Sequence, residues 1–320
     1  MSTIPMILND LFHIFIFPGL LFILVIGLLL AGLDRKVLAR MQKRVGPPVI
    51  QPVYDLFKLF GKETIIPQAA NKTAYIAAPI VGLISLIAAG LFIPISGFSS
   101  FAANGDLIVI LYLITIPGVA LIIGGAASGS PFGGVGASRE MVTMMAYELP
   151  FILVILSVAR AVGGGEFCFT MAQISGWQLY NGCLLGRWAM IPAAIAMLLI
   201  IPAEVGTQPF DAAEAETEIC EGPLIEYSGA PLGLFKLNTA IKMFVMTSLF
   251  TFMFLGGIDN GMGWLNVIIF IAIDIALTLL CMTLVHAVTA RLKIEHLFKF
   301  YWTVVAGLAL ISLVLVWIGL

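Results

Sequence analysis

Several glutamate, aspartate and lysine residues lie inside stretches that are otherwise almost wholly apolar, and any chemistry in this chain is to be sought there. Glu148 sits about ten residues into one such stretch, Asp274 near the middle of another, and Lys236 and Lys242 in the first half of a third. An ionisable group at the centre of a bilayer costs at least about 2.5–3.5 kcal/mol on insertion scales, so each needs a reason to be there. Pro150, just after Glu148, frees the carbonyl of Ala146 and adds a polar defect at the same depth. Four charges at depth point to a hydrated path through the protein.

A second group of acids occupies the segment EVGTQPFDAAEAETEICEGPLIEYSGAP, residues 204–231. Alanine-rich from 212 to 215 and with Thr207 available as a cap, it is expected to begin as a short helix. On that helix Asp211, Glu214, Glu218 and Glu221 form one acidic face, while Glu216 points elsewhere.

Each residue also has a plainer reading. Glu148 could be one half of a structural ion pair with a buried lysine, and Asp274 could merely bond a neighbouring helix. Lys236 could snorkel to the interface, which the deeper Lys242 does less easily. Periodicity alone makes the acidic face a solvated surface. Other chemistry is missing: Cys168, Cys183, Cys220 and Cys281 contain no C-x-x-C pair, and His13, His286 and His296 show no ligand spacing. No glycine-rich phosphate loop, activated nucleophile or H-E-x-x-H motif is present.

The elements that hold these residues follow from composition. With 61% hydrophobic and 11% charged residues, and a mean hydropathy of +1.08, the chain cannot hide its apolar surface in water. Eight apolar runs are long enough to cross about 30 Å of hydrocarbon as helix: 11–33, 74–97, 107–127, 138–162, 187–203, 232–257, 264–286 and 300–319. The expected fold is an all-α integral membrane protein of about eight transmembrane helices. The first run is too long for a signal-peptide core and has no basic segment before it, so it is read as a retained span.

Twelve of the sixteen Lys and Arg residues fall on one face, eight of them in the loop 34–73, and only Arg160 and Arg187 lie opposite. The positive-inside rule makes the basic face cytoplasmic and sends both termini outward, in a cell membrane. Within that loop Ile50, Val53, Tyr54, Phe57 and Phe60 recur at helical spacing, as in a helix lying in the membrane interface. The basic loop 34–73 and the acidic loop 204–231 are the two cytoplasmic segments with structure of their own.

Three segments carry a family resemblance: ARMQKRVGPPVIQPVYDLFKLFGKE (39–63), SREMVTMMAYELP (138–150) and AEVGTQPFDAAEAETEICEGPLIEYSGAPLGLF (203–235). They resemble the membrane subunit joining the peripheral and membrane arms of respiratory complex I, and still more its counterpart in energy-converting, membrane-bound nickel–iron hydrogenases. The resemblance covers roughly residues 34–300. It implies that Glu148 is the acid of the family's Y-E motif, that Arg139 is the arginine nine positions before it, and that Glu204, Asp211, Glu214, Glu216, Glu218 and Glu226 belong to a row of coupling acids, with Tyr227 next to Glu226. That implication turns the acidic face from a solvated surface into part of the coupling path.

The chain also departs from the complex I pattern. QKRVGPPVIQP (42–52) is shorter than the corresponding loop of complex I subunits, which weakens the case for a quinone site. Thr239 stands where the complex I pattern offers an acid, with Lys236 and Lys242 on either side.

The function expected is that of a membrane anchor and coupling subunit in a multisubunit hydrogenase-type oxidoreductase, linking redox turnover to proton or sodium translocation. The chain itself is expected to hold no cofactor. Iron–sulfur clusters, with or without nickel–iron, would reside in peripheral partner subunits docked through Arg35, Lys36, Arg40, Lys43, Arg44 and Arg139. Antiporter-like membrane subunits and the lipid bilayer complete the expected partners, and nucleic acid is not one of them. The rivals are a quinone-reducing or nickel-free sulfur-reducing complex with the same layout, a self-contained secondary transporter, and a purely structural anchor.

Overall fold

The computed structural model describes residues 12–95, 105–257 and 263–319, without the side chains of Glu216 and Thr217. The sequence-predicted spans at 11–33, 74–97 and 232–257 therefore keep all but a residue or two at the ends of the first two. Among the described residues regular structure is helical: α1 (Leu20–Met41), α2 (Gln51–Phe60), α3 (Lys72–Phe92), α4 (Leu107–Ala127), α5 (Pro131–Gly163), α6 (Met171–Asn181), α7 (Ile191–Val205), α8 (Glu216–Ile219), α9 (Gly229–Leu255), α10 (Gly263–Val288) and α11 (Ile294–Ile318). Eight of them have the length and hydropathy of membrane spans: α1, α3, α4, α5, α7, α9, α10 and α11. In hydrocarbon a backbone must satisfy its own N–H and C=O groups, which a helix does within one segment.

α9 is the centre of the bundle. It packs against α1, α2, α3, α7 and α10, and nearly all of it is buried. α4 lies between α3 and α5, and α11 closes against α5 and α7. α1 and α11 instead turn much of their surface outward, with Leu21, Val25, Leu310, Ile311 and Val314 exposed to the hydrocarbon.

Where helix ends differ from the sequence reading, the cause is that a helix need not stop where the hydrocarbon does. α1 runs on to Met41, carrying Asp34, Arg35, Lys36 and Arg40, which hydropathy assigns to a loop. α5 begins at Pro131 instead of 138, and α11 at Ile294 instead of 300. The amphipathic helix expected over 50–60 forms as α2, with Pro52 in its first turn and Tyr54, Phe57 and Phe60 exposed. On the opposite face, α6 and two short 3₁₀ turns at Leu184–Gly186 and Trp188–Met190 fill a connection for which hydropathy predicts no element.

The acidic segment corrects an expectation. Residues 207–215 form no regular helix; only α8 does, and it ends in Cys220 and Glu221 at φ +49° and +69°. Pro209 explains this, since it lacks an N–H and biases Gln208 away from helical backbone. Asp211, Glu214 and Glu218 consequently do not share a face. Gly222 secures the next turn: it has φ +50°, and a Cβ there would lie 2.2 Å from the carbonyl oxygen of Ala213.

Proline fixes the far end of this segment as well. Pro79 inside α3 leaves the carbonyl of Tyr75 without its helical partner, and the Tyr227 hydroxyl donates to that oxygen at 3.1 Å. In return the Tyr75 hydroxyl donates to the Glu226 carbonyl at 2.6 Å, and the two rings stack at 4.0 Å. Burial pushes the Tyr227 phenol well up, so it remains a donor.

Candidate functional site

The charged residues that the sequence scatters over a hundred positions meet where α5, α7 and α9 come together. Glu204, in the last turn of α7, and Lys242, in the middle of α9, form an ion pair with Nζ 2.8 Å from Oε1. The Glu204 side chain is fully enclosed and that of Lys242 is 8% exposed, so the pair is taken out of water almost completely. Such a pair holds only while both partners are present, because the desolvation of either charge alone is uncompensated. Tyr147 of α5 brings its buried hydroxyl beside the same carboxylate. The buried lysine is thus committed to Glu204, not to Glu148 as the plain structural reading of Glu148 supposes.

Glu140, one residue after Arg139, also faces this region, and its charge interacts with Lys242, Glu204 and Glu214. Thr143 fixes it, with Oγ1 3.3 Å from Glu140 Oε2. Sequence reasoning missed Glu140 because it lies two residues inside the expected start of the span, where an acid is ordinary. A signal was available: 140, 144, 147 and 148 fall on one side of a helix, which aligns Glu140 with Tyr147 and Glu148. Glu148 itself is partly exposed, feels the charge of Glu204, and has no ion pair among the described residues.

Two of the loop acids are held in ion pairs at the surface. Asp211 accepts from Arg291 Nε at 3.0 Å and Nη2 at 2.9 Å, and Leu292 N–H donates to the Pro209 carbonyl, so the α10–α11 turn is fastened to the acidic segment. Glu218 meets Arg139 at 2.5 Å, and Arg139 also reaches the Ala212 carbonyl at 3.4 Å. Glu214 lies between these and the interior. Burial holds its carboxyl above the usual carboxylate range, opposed by the nearby Lys236 and reinforced by Asp211 and Glu221. Glu226 is partly buried at the tyrosine stack, and the side chain of Glu216 lies outside the described residues.

Two cavities lie between these groups and the basic residues of α1 and α2. The inner one, of about 50 Å³, is lined by Glu140, Glu204, Glu214, Asn238 and Lys242 among others. The outer one, of about 420 Å³, opens between α1, α2 and α9 and is lined by Asp34, Arg35, Lys58, Lys62 and Lys236 over a floor of Leu28, Leu56 and Met243. Glu214 and Thr239 line both. Lys236 is exposed at this mouth, as its position six residues short of Lys242 suggested. Asp34, which the sequence reading passed over, accepts from Thr283 Oγ1 at 2.6 Å, next to a π-helical turn in α10.

Asp274 is not brought to this site. It is fully buried against the other side of α9, where Ser248 Oγ and Thr251 Oγ1 lie 2.7 and 2.6 Å from its two carboxylate oxygens. Thr251 Oγ1 is also 3.0 Å from the Thr247 carbonyl. Each Asp274 carboxylate oxygen thus accepts from one hydroxyl, Oδ2 from Ser248 and Oδ1 from Thr251.

Of the expected docking residues, Arg40, Lys43 and Arg44 are exposed and Lys36 partly so; Arg44 pairs with Gln42. Arg35 pairs with Asp55 at 3.1 Å across α1 and α2, while Arg139 is engaged as above. Among the described residues no three His, Cys, Asp or Glu side chains converge as a metal site.

Eight spans surrounding a buried acid–lysine pair at one face define a polytopic α-helical membrane protein with its polar machinery on the basic side. The chain belongs to the NADH dehydrogenase family, which it matches over residues 14–317. It is 31% identical to a subunit of the NADH-quinone oxidoreductase of Chelativorans sp., over 94% of this chain and 95% of that one. To hydrogenase-4 component C of Escherichia coli it is 35% identical over 76% of this chain and 75% of that one. It also superposes on a chain of the membrane-bound sulfane sulfur reductase, an archaeal respiratory membrane complex, with a TM-score of 0.88 and 30% identity over 98% of this chain and 100% of that one. The protein is therefore a membrane subunit of the complex I and membrane-bound hydrogenase superfamily.

Proposed function

We propose that this subunit couples redox turnover in a docked peripheral module to movement of protons or sodium ions, as part of a hydrogenase-type complex. The observation that carries the reading is the Glu204–Lys242 pair, buried at 2.8 Å and linked through Glu214 and Thr239 to a cavity open at the basic face. A charge change at the docked module enters at that cavity, shifts Glu214, and alters the balance among Glu204, Glu140, Glu148 and Lys242. The energy travels as electrostatic coupling between sites. Asp211 and Glu218 brace the segment through Arg291 and Arg139, Glu226 seats its far end, and Asp274 adds a further acid on the other side of α9. The basic face is cytoplasmic by the positive-inside rule, and both termini point outward across the cell membrane. Arg40, Lys43 and Arg44 offer an exposed basic edge to the peripheral partners, where the iron–sulfur and nickel–iron centres reside. Antiporter-like membrane subunits receive the coupled signal.

The same outer cavity favours a second reading. Its apolar floor and 420 Å³ of space suit a quinone head group, which would make the complex quinone-reducing. Nickel content, measured on the complex purified from native membranes through a tag on this chain, separates the two. About one nickel per copy supports the hydrogenase reading, and a complete complex without nickel rejects it. For coupling itself, Glu148→Gln in an assembled complex is expected to lower ion movement per electron; unchanged movement would remove Glu148 from the path.

A further inference from the structure

The Asn238 side chain, part of the inner cavity's lining, is 5% exposed and bonded on one side only: Nδ2 donates to the Pro79 carbonyl at 3.1 Å, while Oδ1 has no protein partner among the described residues. Glu204, 2% exposed, is met by Lys242 Nζ at 2.8 Å and by the Tyr147 hydroxyl beside its carboxylate, so the open acceptor here is Asn238 Oδ1. A buried acceptor without a donor costs free energy, and its natural complement is a water or an ion.

The charges choose between them. Glu140, Glu204 and Glu214 line the cavity with Lys242 as its one lining cation, Lys236 acts on Glu214 from the outer cavity, and Asp211 is already matched by Arg291. The lining therefore lacks positive charge. Its ligating atoms are oxygens, which select hard cations. A calcium ion takes six to eight oxygens with several carboxylates, and magnesium demands a near-octahedral set; no three acids converge here among the described residues. One carboxylate and one amide oxygen, with space of about 50 Å³ for a few waters, suit a smaller charge.

We propose that Asn238 Oδ1 and the Glu204 carboxylate form a sodium site in the inner cavity, with the Lys242 ammonium as the competing cation for Glu204. Sodium enters from the outer cavity past Glu214 and Thr239, which line both spaces. Gly82 keeps the amide in place, because a Cβ there would lie 2.8 Å from Asn238 Nδ2. The site stands on geometry alone; only its use in transport rests on the coupling reading above.

The test is equilibrium binding of radioactive sodium to the purified intact complex, at ionic strength fixed with choline chloride, for the wild type, Asn238→Leu and Asn238→Asp. Leucine keeps the branched shape and the number of heavy atoms and removes the oxygen, so the complex should bind one sodium fewer at unchanged subunit composition. Aspartate adds a charge at the same point and should tighten that sodium by about tenfold. Equal sodium counts and affinities in all three complexes would overturn the proposal and leave water in the cavity. If leucine prevents assembly, the aspartate variant decides alone. A flat sodium response together with ion movement lost in Glu148→Gln refutes the site and leaves the coupling reading intact. A sodium count that responds to Asn238, with ion movement untouched in Glu148→Gln, does the reverse.

Discussion

Replacing Lys242 with methionine removes the cation that holds the Glu204 charge in the interior. Both side chains of the pair are at least nine-tenths enclosed, so little water can take over from the ammonium. Stranding one member of a buried pair costs about 3–5 kcal/mol. The protein can limit that cost by protonating the acid, which for a free carboxylate at pH 7 takes about 3.7 kcal/mol and at pH 5 about 1 kcal/mol. Lys242→Met is therefore expected to destabilise by about 3–4 kcal/mol at pH 7 and by roughly 1 kcal/mol at pH 5. Adding Glu204→Gln should restore at least about 2 kcal/mol at pH 7, since the amide needs no counter-charge. Denaturant or thermal unfolding of the complex in nanodiscs, read by loss of this subunit, completes the double-mutant cycle at both pH values. A Lys242→Met cost that is the same at pH 5 and pH 7, or that Glu204→Gln does not relieve, would refute the reasoning.

Two further outcomes follow from the same geometry. Glu214 is held above the ordinary carboxylate range chiefly by burial, so the folded state binds its proton more tightly than the unfolded chain does. Its contribution to stability is full below about pH 4.3 and is lost as pH rises through the raised folded value. Glu214→Gln should therefore gain stability relative to wild type as pH rises over that window, and melting curves that run parallel would contradict this. Gly82→Ala should cost about 1–3 kcal/mol by driving Asn238 off the Pro79 carbonyl. An unchanged melting temperature would show that α3 and α9 have room to spare.

The spans were legible because crossing hydrocarbon demands a long apolar helix, and few sequences meet that demand by accident. Their ends were less so: Asp34 and Glu140 lie on helices that continue past the apolar run, and a reading based on hydropathy sets such residues aside as loop or headgroup-level acids. The acidic segment invited a helix by its alanines and acid spacing, yet Pro209 broke it and sent Asp211 to Arg291 and Glu218 to Arg139. Glu204 and Lys242 were each visible as charges out of place. Their pairing, across 38 positions, depends on how α7 leans on α9 and leaves no periodic trace. Asn238 escaped notice for a different reason. A neutral amide in a span is not costly enough to stand out, and only its unmatched oxygen in the folded chain reveals it.

The central claim is that ion movement passes through the charge balance of Glu204 and Lys242. It is tested most directly by counting ions moved per electron pair in vesicles containing the Glu204→Gln/Lys242→Met complex, which the double-mutant cycle predicts to be folded. Redox turnover with ion movement reduced to a small fraction of wild type is the expected result. Full ion movement at a normal turnover rate would place the path elsewhere and leave the buried pair as scaffolding.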